Sequence, residues 1–284
     1  MGIVSRATIA ACCVAVLSLP LAAQSAGGPS DDPHGRPLWE AGAVAGGGLF
    51  SDYPGADQAH RRGLLAPVFV YRGPILRVDQ EGVRGRLLQR SDVELDLTAS
   101  GAFNARDNEA RHGMPDLDYL FGIGPQLIYK GLHALPGRPT LHIKGNAVMS
   151  TDFHDLHQRG VTLDTELRWR WQGLGGTPGS NLTLGIEPTW ASRALQAYFY
   201  EVAPAYATPD RPAYAARAGY FGTTLKAAYS QRISDSTTWF VAFRGMALQG
   251  AANRDSPLMR RDASIALGAG IVWTPWRSQA RVDE

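Results

Sequence analysis

Cysteine is nearly missing from this chain: the only two, Cys12 and Cys13, stand side by side close to the N-terminus. Lysine is scarce, with Lys130, Lys144 and Lys226 the only three, and arginine supplies the other cations. No apolar run of about eighteen residues follows position 23, which excludes a transmembrane helix but leaves open a β-barrel, whose strands need only ~9–11 alternating residues. No basic excess exists either. The 28 Lys and Arg face 26 Asp and Glu, so nothing points to nucleic acid.

The first 23 residues read as a secretory leader. Arg6 is followed by an apolar run from Ala7 to Leu19 and by Pro20-Leu21-Ala22-Ala23, a small-residue cleavage pattern. Cleavage is expected after Ala23, with Ala26 the second choice. Ile9-Ala10-Ala11-Cys12 faintly resembles a lipobox, but too little apolar sequence precedes Cys12. Removal of the leader takes both cysteines and Arg6, leaving 27 cations against 26 acids. The expected product is an exported chain without disulfides or thiolate metal ligands.

What is present in abundance is alternation. From Val161 to Trp171 the odd positions are Val, Leu, Thr, Leu, Trp and Trp, and the even ones are Thr, Asp, Glu, Arg and Arg. On a strand this gives one apolar face ending in two tryptophans and one ionic face; on a helix the charge would scatter. Glu94, Lys144, Asp164, Glu166, Arg168, Glu187, Lys226 and Arg244 recur on the same parity of successive segments. Tyr129, Trp169, Trp171, Trp190, Tyr229, Trp239 and Trp273 sit near segment ends on the other, where a lipid headgroup layer favours them.

Read in order, residues 24–37 form a Gly/Pro/Ser-rich flexible leader, 38–276 a barrel, and 277–284 a polar tail. Treating 75–79 and 83–88 as separate strands gives twelve; merging them gives an unfavoured eleven, and ten results if a terminal element is not a strand. Short connections fall near 73, 90, 134, 176 and 234, and longer ones near 56, 111, 155, 202 and 256, with the tight turn at 81 as the one exception. Short turns on one rim and long loops on the other mark an outer-membrane barrel with both termini in the periplasm. The Gly/Ala-crowded start, 39–49, suits the inside of a curved wall. Phe221, Leu225 and Tyr229 are expected together on the outer face, and Thr151 to Gly160 as a loop.

Tyr53-Pro54-Gly55, Tyr71-Arg72-Gly73 and Gly113-Met114-Pro115-Asp116-Leu117 precede Ile123-Gly124-Pro125. Further on stand Tyr198-Phe199-Tyr200-Glu201-Val202, Arg211-Pro212-Ala213-Tyr214, Gly219-Tyr220 and Ser256-Pro257-Leu258. In that order and spacing, from Trp39 to about Ser278, the chain resembles the MipA/OmpV family of MltA-interacting outer-membrane proteins. The resemblance implies a transmembrane antiparallel β-barrel in the outer membrane. It also implies a non-enzymatic scaffold whose partners are a murein transglycosylase and a murein synthase. Other members imply adhesin or stress-associated, porin-like roles. Family chains finish on an aromatic strand-end residue, whereas here Trp273 and Trp276 are followed by a polar tail.

Candidate chemistry is sparse. Asp152, His154, Asp155 and His157 have ligand-like density but read as a solvated loop rather than a metal site. A hydrolase would need a serine paired with a histidine; His142 and Ser150 share a parity but lie far apart along the strand. The expectation is therefore no catalytic, cofactor-binding or metal residue. The ionic lumen would either pair internally and plug the barrel, or line a narrow small-solute channel. Tyr198 to Tyr200 is either a partner-binding patch or a segment packed on the barrel mouth.

Overall fold

The computed structural model describes residues 36–73, 76–79, 82–102, 104–105 and 108–282. The leader peptide and its cleavage site lie outside the described residues.

Alternation makes strands, and the strands close. A two-residue strand β1 (Arg36–Pro37) is followed by β2 (Trp39–Ser51), β3 (Ala59–Arg72), β4 (Leu76–Asp79), β5 (Gly82–Gln89), β6 (Val93–Ala102) and β7 (Tyr119–Tyr129). Then come β8 (Thr140–Thr151), β9 (Leu156–Gln172), β10 (Ser180–Ala191), the helix α1 (Arg193–Tyr200), β11 (Gly219–Ser234), β12 (Thr237–Ala247), β13 (Ala263–Arg277) and the short β14 (Arg281–Val282). Strands β2 to β13 form one closed antiparallel barrel of twelve, each paired with its neighbour in sequence and β13 with β2. The separate reading of the two segments between 75 and 88 is therefore the one the fold adopts. Closure leaves no sheet edge for hydrocarbon to meet at the β13/β2 junction.

Parity sorts the side chains as the alternation requires. Outward positions such as Leu163, Leu225 and Leu267 are half exposed, whereas Glu166, Thr183 and Ser230 on the inward parity are fully buried. A soluble monomer seldom leaves more than ~300–600 Å² of contiguous apolar surface. Here exposed Leu, Ile, Phe and Trp recur on the outer face of strand after strand, which suits a lipid surround.

The inner face is not uniformly ionic, and there the sequence reading needs correction. Val44, Ala66, Val68, Val70, Ala228, Phe240, Ala242 and Val272 form a buried apolar cluster on β2, β3 and β11 to β13. From Gly42 to Gly48 on β2 and from Ala266 to Val272 on β13 the inward parity is Gly, Ala and Val, so that stretch of wall lacks charge to display.

Small residues also bend the wall. Gly48 pairs with Gly268 and Gly46 with Gly270 across the β2/β13 seam. A methyl added at Gly46 would stand 2.7 Å from the Ala269 carbonyl oxygen, and one at Gly270 2.6 Å from that of Ala45. The same crowding recurs at Gly124 against the Gly145 carbonyl, between β7 and β8. Six strands separate the two seams in either direction.

The connections 90–92, 130–139, 173–179 and 235–236 lie on one rim and 52–58, 152–155, 192–218 and 248–262 on the other, which carries the two longest of these. The segment from Thr151 to Gly160 is shorter as a loop than expected: β9 starts at Leu156, with Ser150 opposite His157 and Thr151 opposite Leu156. Only 152–155 turn, with Phe153 in the left-handed region at φ 75°. At the short-turn rim β1 pairs with β14, so Arg36–Pro37 of the expected leader and Arg281–Val282 of the expected tail form a two-stranded sheet. Arg72 fixes this end, reaching Glu40 Oε1 at 2.9 Å and donating to the Pro37 carbonyl at 2.9 Å.

Candidate functional site

Five adjacent strands, β8 to β12, carry the ionic parity into one cluster. The register places Thr224, Glu187, Glu166 and His142 in one row across β11, β10, β9 and β8. The next row runs Arg244, Lys226, Gly185, Arg168. Glu166 is fully buried and takes Arg168 in a two-point contact, Nε to Oε1 at 3.1 Å and an Nη to Oε2 at 2.8 Å. Its Oε2 also lies 2.9 Å from Lys144 Nζ and 3.4 Å from Lys226 Nζ. Glu187 Oε2 accepts from the same two lysines, at 2.5 Å and 2.6 Å.

Gly185 makes this possible. It faces inward between Lys226 and Arg168, and a methyl there would stand 2.7 Å from Glu166 Oε1. Two carboxylates thus share three cations in a low-dielectric interior, where pairing and hydrogen bonding offset the desolvation of each ion. Arg244 completes the belt, 3.9 Å from Glu187 Oε1, with 62 % of its side chain exposed. One row towards the long loops, Asp164 accepts from Asn146 Nδ2 at 2.8 Å, Thr162 Oγ1 at 3.0 Å and Thr189 Oγ1 at 2.7 Å. Glu94 pairs instead with Lys130 at 2.7 Å, near the short-turn rim.

Above the belt the long loops meet in a lid. Helix α1 and the loops around it bury Tyr53, Leu117, Leu195, Phe199, Tyr200 and Phe221 in one apolar cluster with Leu248 and Met259. Phe221 is a correction: it was expected to face outward with Leu225 and Tyr229. A bulge opposite Thr189/Trp190, with Gly222 at φ 151°, shifts the register of β11 and turns Phe221 under the helix.

Polar bonds knit the lid. Tyr53 Oη donates to the Leu258 carbonyl at 2.9 Å, Tyr200 Oη to that of Pro54 at 2.9 Å, and Ser256 Oγ to that of Tyr200 at 2.7 Å. Arg211 donates to the carbonyls of Ala110, His112 and Tyr206. The fully buried Asn253 accepts the Arg217 amide and donates to Gln196 Oε1 and the Arg217 carbonyl. Burial pushes the Tyr53 phenol up to about 12 and the Tyr200 phenol well above its usual range; it pulls the Arg111 guanidinium down from its ordinary value. Both phenols are therefore neutral donors in the lid.

Several of the motifs singled out in the sequence lie here. Tyr53-Pro54-Gly55, Tyr198 to Val202 and Ser256-Pro257-Leu258 are joined by the bonds above, Arg211 to Tyr214 by a Val202–Tyr214 bridge, and Gly219-Tyr220 is held by the Ala252 amide on the Tyr220 carbonyl. Of the two readings of Tyr198 to Tyr200, the packed one is right: Phe199 and Tyr200 are buried. Of the expected ionic residues, Lys144, Glu166, Arg168, Glu187, Lys226 and Arg244 come together, whereas Asp164 and Glu94 go elsewhere. Gly185 and Asn253 were not foreseen. An inward glycine between charged neighbours was the available signal for the first, and a lone Asn in a polar loop gave none.

The other candidates disperse. Asp152, His154, Asp155 and His157 are all exposed. Asp152 Oδ1 accepts the amides of His154 and Asp155 at 2.9 Å each, which makes its carboxylate part of the turn. Among the described residues no group of three or more His, Cys, Asp or Glu is placed to hold a metal ion. Ser150 is engaged by Arg159 Nε at 2.7 Å and Asp118, while His142 contacts Thr140 at 2.8 Å and pairs across from Glu166. They do not meet.

No curated protein matches this chain in sequence. Among solved structures, a NanC porin is similar over 81 % of this chain and 98 % of its own, at 7 % identity and TM-score 0.38. CymD, a monoaromatic hydrocarbon channel, is similar over 94 % and 100 %, at 9 % identity and TM-score 0.39. Likeness of that degree says nothing about a solute or a mechanism. Residues 43–275, nearly the whole barrel with its lid and belt, match the family model described as MltA-interacting protein MipA, and the chain belongs to that family.

Proposed function

We propose that this outer-membrane barrel is a non-enzymatic scaffold. It docks a murein transglycosylase and a murein synthase at its short-turn rim, which faces the periplasm. The observation that carries the reading is the closed interior. The lid loops are bound to one another, the belt ions are bound to each other, and neither presents a nucleophile beside a base. A barrel so built offers rigid outer surface and rims rather than a reaction chamber. Affinity capture from envelope extracts in gentle detergent is expected to recover both murein enzymes with the intact barrel. Recovery of neither would remove the support for this role.

A second reading, a narrow small-solute channel, draws on Arg244. Its side chain faces inward yet stays 62 % exposed, so the lumen at that level holds solvent-accessible space. Planar-bilayer recording separates the two: conductance steps that change when Arg244→Ala is introduced support a channel, and a silent purified barrel disposes of it.

A further inference from the structure

One face of the outer wall is hollowed. A groove of about 660 Å³ runs over β9 to β12 at the short-turn rim, within the range of small-ligand sites. Its floor is Ala227, which lies in a row with Phe243 on one side and Leu184 and Trp169 on the other. The small side chain between larger ones makes the hollow, and Leu225 and Ile186 line it on the next row.

The rim end of the groove is built, not left open. The 130–139 connection folds onto the outer wall, and Trp169 Nε1 donates to the Pro136 carbonyl at 3.1 Å. Gly137, at φ 73°, lies so close that a methyl there would stand 2.9 Å from Trp169 Cδ1 and 3.3 Å from Trp171 Cζ2. The next residue, Arg138, is exposed and also left-handed, at φ 47°. An apolar trough thus ends at two tryptophans, the 130–139 connection and a cation, at the level where Tyr129, Tyr229, Trp239 and Trp273 mark the same rim. Hydrocarbon below and a phosphate above match that order of surfaces.

We propose that this groove is a binding site for one glycerophospholipid of the short-turn leaflet. One acyl chain lies over Ala227 between Phe243 and Trp169, and the phosphate meets Arg138. The inference rests on the membrane-barrel reading above. It differs from general lipid contact in predicting a countable lipid that survives purification.

The test uses the processed protein extracted from membranes in mild detergent, with native mass spectrometry counting bound phospholipid. One lipid per chain is expected on the unaltered protein. Ala227→Trp, which fills the floor from the lipid side, should weaken lipid binding about tenfold, the change that ~1.4 kcal/mol of binding represents, and lower the bound fraction with it. Arg138→Ala should lower it less, and Ala269→Trp, at an exposed outward position on β13, should leave it unchanged. Absence of a lipid on the unaltered protein, or equal retention in Ala227→Trp, overturns the proposal. Membrane fractionation of the same variants keeps the two failures apart. A membrane-inserted Ala227→Trp with undiminished lipid sinks the groove alone, whereas an unaltered chain recovered in the soluble fraction sinks the barrel reading too.

Discussion

Glu166 meets three cations at once, and the energetics of the lumen turn on that. Its removal takes the Glu166 carboxylate from Arg168 and leaves Glu187 as the carboxylate that Lys144 and Lys226 share among the ion pairs described. Breaking a buried ionic cluster from one side costs ~3–5 kcal/mol, because uncompensated charge stays buried. Glu166→Gln should therefore lower the urea midpoint of unfolding clearly. An unchanged midpoint would mean that water already solvates these groups. Tyr53 supplies a pH dependence. A phenol raised from 10 to about 12 by burial contributes stability undiminished below pH 10, and that contribution is lost as pH rises from 10 through about 12. The thermal midpoint of unfolding should fall across that window, and Tyr53→Phe should flatten the fall. The hydrogen bond lost in that variant is worth ~1 kcal/mol. Residue identity made the ionic parity readable in advance, since charges at i and i+2 on a strand must share a face. What it left hidden was which carboxylate meets which lysine, because that depends on strand stagger and on the gap at Gly185.

At the scale of elements, strand number and the order of short and long connections were readable, because alternation and turn chemistry are local. The bulge in β11 was not. It moves Phe221 from the lipid face into the lid, and the only local sign was a glycine pair flanking Tyr220 and Phe221. The lid was hidden for a different reason: its contacts join segments about 50 to 200 residues apart, such as Tyr53 with Leu258, and no periodicity records them. Short-range pattern also missed the apolar inner wall of β2, β3 and β13. The Gly-rich sequence there announced curvature but not the cluster of Val44, Val68 and Phe240 that lines it. The seam yields its own prediction. Gly48 lies against the Leu267 carbonyl with no room for a side chain, and β2 and β13 close the barrel there. Gly48→Val should impair closure, read as loss of the compact, heat-modifiable band on cold gel electrophoresis. Gly63→Val, on the outward parity of β3 and with no atom nearer than 4.0 Å to the added carbon, should migrate normally.

For the molecule as a whole, outward apolar parity, closure of all twelve strands and membership of the MipA family describe one object: a lipid-embedded barrel with a lid over one mouth and paired ions across part of its bore. Scaffold and lipid-site proposals both presuppose it. The chain has no cysteine after Cys13, which allows a direct test by site-directed spin labelling along 161–171 in reconstituted bilayers. Labels at Val161, Leu163, Leu167 and Trp169 should relax strongly with oxygen, which partitions into acyl chains. Labels at Thr162, Asp164, Glu166 and Arg168 should respond to it weakly. An alternating oxygen response with a period of two is the predicted result; a flat profile, or odd positions relaxed chiefly by a water-soluble nickel complex, would contradict it.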